Sequence, residues 1–324
     1  MRVGQNPIKS VGSVEPPALV TVVVFSSIPF LSGYFSESLD VLKLCLSSLR
    51  RNTRGEFDLM LFDNGSCAAV RKYLIAEQDK NRIQFLILSA RNIGKPAAWN
   101  AALTAAPGEY VAYADSDVYF NPGWLKASLD TLKAFPKAGM VTAMPMLIPE
   151  TYSTATVKWA KKNPEIKLER GHLLPWEDFW RHARSLGDTE QQARAFYQAN
   201  PIVRITYKKK RFFAGAAHFQ FTARKTVLQR VLPIPAEKPM GRVRLLDEAI
   251  NAAGYLRLCT EDWHVQHMGN LLPQASDLIS PVQVPVQRAK NRGKIAKIWR
   301  WEPIRKLLQW IYGWSFDRLH RGGS

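Results

Sequence analysis

Apolar and polar positions follow two periods along the first 145 residues. Short apolar runs at 19–25, 59–62, 83–88 and 110–114 predict strands, the first of them β-branched. Leu39, Leu42, Leu46 and Leu49 recur at helical spacing, so the segment after the first strand should pack one face on a sheet. Further helices are expected over 68–78, 96–106 and 124–135, and a strand over 139–144. Pro107-Gly108 ends the 96–106 helix. Strands alternating with helices of this length predict parallel crossovers and an α/β fold. From 150 to 211 the periodicity weakens, and Trp159, Trp176, Phe179, Trp180 and Tyr197 scattered among charges predict a mostly helical insertion. The apolar pattern returns over 212–224, followed by a short helix over 245–255 and a strand over 256–259. Ile304, Leu307, Leu308, Ile311 and Tyr312 then mark an amphipathic helix near the end.

Polar residues collect where the predicted strands stop. The run 110–114 leads into Asp115-Ser116-Asp117, the run 59–62 into Asp63-Asn64-Gly65, and the run 83–88 into Arg91-Asn92-Ile93-Gly94. The carboxyl ends of strands are where α/β sheets bind ligands. Two carboxylates two residues apart repel each other unless a divalent cation turns the repulsion into coordination, and such an ion can also hold a diphosphate. Each motif also has a local reading, since Asp-Asn-Gly and Asp-x-Asp both suit turns. Their order along one chain is more specific than any of them singly.

That order resembles the nucleotide-sugar-binding half of the family 2 glycosyltransferases over roughly residues 19–145. The resemblance implies the GT-A nucleotide-diphospho-sugar transferase fold, an α/β domain with a Rossmann-like mixed sheet and flanking helices, here with a helical insertion and a basic amphipathic C-terminal tail. It assigns Asp63 to the nucleotide base, typically uracil. Asn92, Gly94 and Asn100 would shape the loop beside nucleotide and sugar, and Asp115 and Asp117 would contact the ribose or sugar and the metal. The 212–224 run resembles the family's small-residue loop beside the donor sugar, where Ala214 and Gly215 would let backbone approach a ligand; His218 reads first as a satisfied structural histidine, with a substrate contact as the alternative. Val265-Gln266-His267-Met268-Gly269 resembles the family's Val-x-His-x-Gly, which makes His267 a third metal ligand, with His264 as a rival. An acidic helix before a Gly-aromatic turn supplies the family's general base, so Asp247 is the first candidate and Glu248 the second. The spacing departs from the common pattern, which has its acids where this chain has Arg242, Val243 and Arg244, and Glu261 and Asp262 are rivals for the role. The implied cofactor is Mn²⁺ or Mg²⁺, with imidazole favouring the former. The implied reaction is an inverting transfer from a nucleotide sugar, UDP-sugars favoured, to a glycan or lipid-linked acceptor.

Charge adds a second partner. The 324 residues carry a formal +18, and the 282–324 segment alone has ten basic residues against two acidic ones. With Trp299, Trp301, Trp310 and Trp314 nearby, this pattern suits an anionic membrane surface. No nucleic-acid motif accompanies it. Three well-separated cysteines fit a reducing cytoplasm better than a disulfide framework. The expected division is a flexible leader at 1–18, a nucleotide-sugar-binding half at 19–145, a basic helical insertion at 146–211, an acceptor and catalytic half at 212–280, and the tail at 281–324. Two other functions fit parts of the pattern. A sugar nucleotidyltransferase of related fold would carry a Gly-rich basic loop where Ser26-Ser27-Ile28-Pro29 stands, and a non-enzymatic polyanion binder leaves the ordered acids unexplained.

Overall fold

The computed structural model describes residues 4–237, 243–274 and 277–278. The predicted alternation appears as β1 (Val20–Ser26), α1 (Ser38–Asn52), β2 (Asp58–Asn64), α2 (Ala68–Asp79), β3 (Phe85–Ser89), α3 (Lys95–Ala105) and β4 (Tyr110–Asp115). These four strands are parallel and lie in the order β3-β2-β1-β4, so their carboxyl ends share one edge. Val22, Val23 and Val24 of β1 have no exposed surface, as an apolar run between two neighbours requires.

The chain continues through β5 (Val118–Phe120), α4 (Trp124–Ala134), β6 (Ala138–Thr142), α5 (Thr154–Lys161), β7 (Lys167–Gly171), α6 (Trp176–Leu186), α7 (Glu190–Ala199), β8 (Ile202–Tyr207) and β9 (Lys210–Ala214). It then forms β10 (Gln220–Arg224), α8 (Lys225–Val231), α9 (Arg244–Ala252), β11 (Leu256–Thr260) and β12 (Val265–His267). Antiparallel β10 sits between β4 and β6, β11 runs parallel to β6, and β9, β8 and β7 complete a ten-stranded sheet. The expected α/β sheet is therefore present, and mixed.

The 146–211 segment is less helical than expected. Besides α5, α6 and α7 it contributes β7, β8 and the start of β9. The period-2, β-branched run Ile202-Val203-Arg204-Ile205-Thr206 is a strand signal masked by surrounding charge. The basic run at 208–211 begins as a two-residue hairpin turn, with Lys208 and Lys209 at φ 47° and 63°. Positive φ at both central residues matches the right-handed twist of the flanking strands.

One face of the sheet packs Val23, Phe62, Val111, Tyr113 and Phe221 against Trp99 of α3 and Leu246 and Ile250 of α9. On α1, Ser48 Oγ accepts from Phe120 N at 3.1 Å and Asn52 Nδ2 donates to Phe120 O at 2.7 Å. These bonds fix β5, which pairs with β12 in a separate two-stranded ribbon. Residues 1–280 form one compact unit. The 281–324 tail and Arg242 lie outside the described residues. Among the described residues no helix is long and apolar enough to cross a membrane.

Candidate active site

The register of the parallel strands sets the site's width. Asp63 pairs with Ser26 and Asp115 with Phe25, so the two acids flank β1, about 10 Å apart at ordinary strand spacing. Ser26 and Phe25 are consecutive, which sends Asp63 and Asp115 to opposite faces at the shared edge. Asp63 is fully buried; its Oδ2 accepts from Ser66 N at 3.2 Å, while Oδ1 has no partner. Burial raises its pKa, partly offset by Ser66 and Arg71. A buried acceptor without a donor leaves a polar group that a ligand N–H can satisfy.

The next loop is built by amide pairs. Asn64 Nδ2 donates to Asn92 Oδ1 at 2.8 Å, Gly94 N donates to the same oxygen at 2.8 Å, and Ile93 N donates to Asn64 Oδ1 at 2.9 Å. Gly65 lies under this loop at φ +76°, where a Cβ would come within 2.6 Å of Asn92 N. Gly94 adopts φ 83° as the N-cap of α3. The turn delivers Lys95, the first residue of α3, to Asp115: Nζ lies 2.7 Å from the carboxylate, and the Tyr113 hydroxyl donates to Asp115 Oδ1 at 2.5 Å. Burial, then the Asp115 charge, push the Tyr113 hydroxyl's pKa well above its ordinary value. Lys95 also sits 5.2 Å from the centre of the Trp99 ring.

The second acid has a different partner. Because β5 pairs with β12, His267 stands opposite Val118, and its Nε2 lies 3.2 Å from Asp117 Oδ2. Met268 N donates to Asp117 O at 2.8 Å and closes the ribbon. Burial works against the Asp117 charge, but His267 and then Lys95 hold its pKa below the usual carboxylate value. Burial likewise opposes a charged His267; Asp117 outweighs it and raises the pKa. On α6, Ser185 donates its hydroxyl hydrogen to His182 O at 2.6 Å, so its oxygen accepts from His267 Nδ1 at 2.9 Å. That fixes the Nδ1–H tautomer and leaves Nε2 facing Asp117 with either a proton or a lone pair for a cation. His182 stacks on Phe219 at 5.3 Å, and burial drops its pKa to about 3, so it is neutral.

Asp117 Oδ1 is buried with no partner. A spare carboxylate oxygen beside a histidine whose other nitrogen is anchored fits a divalent first-row cation. Among the described residues no three His, Cys, Asp or Glu side chains cluster as an ion site, and Asp115 is bonded to Lys95 and Tyr113. Asp117 and His267 would therefore be the protein's donors, with diphosphate and water supplying the rest.

Residues 34–182 match the family model described as glycosyl transferase family 2. This chain carries a family 2 glycosyltransferase domain. The domain spans Asp63, Asn92, Gly94, Lys95, Asn100, Asp115 and Asp117, and the mixed sheet with flanking helices that carries it is the expected GT-A fold. EpsH of Bacillus subtilis (strain 168), which carries a glycosyltransferase name, is 30% identical over 90 residues, covering 28% of this chain and 26% of EpsH. Staphylococcus aureus TarS 1–349 aligns with 78% of this chain and 60% of its own at TM-score 0.46 and 15% identity. The mannosyltransferase PcManGT from Pyrobaculum calidifontis, in complex with GDP-Man and Mn²⁺, aligns with 79% and 59% at TM-score 0.45 and 16% identity. This chain thus spans about a quarter of EpsH and three fifths of the two structures.

Other expected site residues are placed differently around the family 2 domain. Asn100 spends both ends of its amide on Ile234, accepting from its N at 2.9 Å and donating to its O at 2.8 Å, which ties the 232–237 loop to α3. Ala214 is buried, and Gly215, at φ +117°, leaves room for Ile148: a Cβ there would lie 2.5 Å from Ile148 Cβ. Side-chain packing, not an approaching ligand, fills the space at Gly215. Asp247 is 4% exposed, with Oδ1 3.0 Å from Arg257 Nη2 and Oδ2 3.4 Å from His218 Nδ1. Glu248 is half-buried next to it. Glu261 pairs with Arg211 at 2.6 Å, and the Asp262 backbone carbonyl accepts from Thr260. His264 lies on the ribbon's approach, its backbone bonded to Ala143 and Asn121. Sequence reasoning missed Lys95, Tyr113, Ser185 and Arg257. Tyr113 was within reach, since residues two apart on a strand share a face.

Proposed function

We propose that this protein moves a sugar from a nucleotide-sugar donor to a hydroxyl of a glycan or lipid-linked acceptor, with a divalent cation bound beside the donor diphosphate. The observation that carries the reading is a buried, unpartnered Asp63 oxygen at the carboxyl end of β2, inside the matched family 2 residues, together with the Asp117–His267 pair held by the β5–β12 ribbon that follows β4. In this reading Asp63 Oδ1 accepts an N–H of the nucleotide base, which favours uracil and so a UDP-sugar. The Asn64–Asn92 loop holds Lys95 where its ammonium can meet a diphosphate oxygen as well as Asp115. Asp117 and His267 Nε2 would hold Mn²⁺ or Mg²⁺, which when bound supplies positive charge against the charge gathering on the departing diphosphate. Asp115, held by Lys95 and Tyr113, is positioned to take hydrogen bonds from the ribose or sugar. The transfer is proposed to invert the anomeric centre. The basic, tryptophan-rich 288–321 segment is assigned to an anionic membrane surface on the cytoplasmic side, which would bring the site to a lipid-linked acceptor.

Thermal unfolding of the full chain with a panel of UDP- and GDP-sugars, with and without Mn²⁺, tests this. A UDP-sugar should raise the melting temperature, and Mn²⁺ should increase the rise in the wild type but not in Asp117→Ala. No response to any nucleotide sugar overturns the donor assignment, and an Mn²⁺ response retained in Asp117→Ala overturns the cation site.

A further inference from the structure

Asp247 is the expected proton acceptor, yet it is buried and hemmed in by two cations or potential cations. Arg257, 1% exposed, lies 3.0 Å from Oδ1 and is itself held by the carbonyls of Tyr152 and Ala216. His218 faces Oδ2 at 3.4 Å, and about a third of its side chain is exposed. A carboxylate can only accept here, so Nδ1 of His218 carries the hydrogen and Nε2 carries the lone pair. Among the described residues Nε2 has no hydrogen-bond partner.

Adjacent residues place this imidazole beside the proposed donor site. Phe219 accepts from Asp115 N at 2.8 Å through its carbonyl and packs its ring 5.5 Å from His267, on the cation side. His218, one residue earlier, packs 6.4 Å from Trp99, the ring that lies over Tyr113 and under Lys95. One dipeptide therefore touches both the Asp117–His267 pair and the Asp115–Lys95–Trp99 group.

We propose that His218 is the group that takes the acceptor's proton, and that Asp247 is a positioning residue that fixes its tautomer, with Arg257 balancing the buried charge. This rests on the glycosyl-transfer reading. As the acceptor oxygen bonds to the anomeric carbon, the bond from that carbon to the diphosphate oxygen breaks and its electron pair leaves with the nucleoside diphosphate. The acceptor's hydroxyl proton passes to the lone pair of His218 Nε2. The resulting imidazolium is stabilised by Asp247 and gives its proton to water once the products leave. The arrangement follows the general logic of a base oriented by a buried carboxylate.

The test measures nucleoside diphosphate released from a panel of UDP- and GDP-sugars, with water and with octyl glycosides as acceptors. Wild type, His218→Ala, His218→Gln and Asp247→Asn are compared. Positioned proton transfer contributes on the order of 10²–10⁴-fold, so His218→Ala and His218→Gln should lose turnover by that order while donor KM and donor-induced thermal stabilisation stay near wild type. Added imidazole should restore part of the turnover of His218→Ala. Asp247→Asn should lower kcat more than KM, provided its melting curve shows it folded; if it does not fold, the two His218 variants and the imidazole arm decide. Near wild-type turnover in His218→Ala, or a loss that imidazole leaves untouched and that is matched by lost donor binding, overturns the proposal while leaving the glycosyl-transfer reading in place. Wild-type protein that binds and cleaves no nucleotide sugar overturns both.

Discussion

Gly65→Ala isolates what the turn after β2 does. Gly65 sits at φ +76°, and an added Cβ would lie 2.6 Å from Asn92 N and 2.7 Å from Arg91 C, both backbone atoms of the loop that leads to Lys95. Gly123, at φ +86°, has nothing within 4 Å of the same position and serves as the control. The left-handed backbone costs an L-residue ~1–2 kcal/mol, which both variants incur. Only Gly65→Ala must also move backbone, an overpacking cost of ~1–3 kcal/mol. Gly123→Ala should therefore lose ~1–2 kcal/mol and Gly65→Ala ~2–5 kcal/mol in urea unfolding, the midpoints shifting at constant m. Because the displaced loop holds the Asn64–Asn92 bonds and the start of α3, Gly65→Ala should also weaken donor binding by about tenfold, which corresponds to ~1.4 kcal/mol. Equal stability losses in the two variants, with donor affinity unchanged, would refute the claim that this glycine is required by the loop above it.

Ser185→Ala removes the anchor of His267 Nδ1 and should weaken Mn²⁺ binding by ~10–100-fold, read by titration calorimetry in the presence of UDP. Arg257→Ala strands Asp247 in a buried site and should cost ~3–5 kcal/mol in chemical unfolding; a loss under ~1 kcal/mol would show that water relieves the carboxylate. Deleting 288–324 should abolish salt-sensitive co-sedimentation with anionic liposomes, each basic residue near the surface contributing ~1 kcal/mol, and unchanged liposome binding would exclude the tail as the attachment.

The parallel half of the fold was legible because apolar runs and leucine spacing report burial directly: β1 to β4 and α2 to α4 fall within two residues of the expected bounds, and α1 carries the four spaced leucines. Ends of strands were legible for the same reason, so the sequence alone puts Asp63, Asp115 and Asp117 on one edge of the sheet. Partners were not. That Lys95 meets Asp115 depends on how α3 turns back across β4, and periodicity within each segment carries no information about that crossing. Ser185 reaches His267 from a segment whose charges hide its packing face. Gly215 shows the opposite failure: a small residue signals close approach but not what approaches, and here it is Ile148. The β8 strand is hidden in the sequence because the charges around it outweigh a two-residue alternation.

The β5–β12 ribbon has a consequence for how the chain becomes active. It joins Asp117 to His267 across about 150 residues of intervening chain, and closing a loop of that length costs about 4 kcal/mol of chain entropy before any contact forms. Nothing local can hold that pair together, so it should assemble late, after the central sheet and α6 have formed. The cation pair is then a read-out of completed folding. Nascent or partly unfolded chains can present the parallel strands and their acids, yet without the ribbon they lack the second donor. Damage to distant packing should consequently appear first as weakened cation response, at denaturant concentrations where far-ultraviolet circular dichroism still reports native secondary structure.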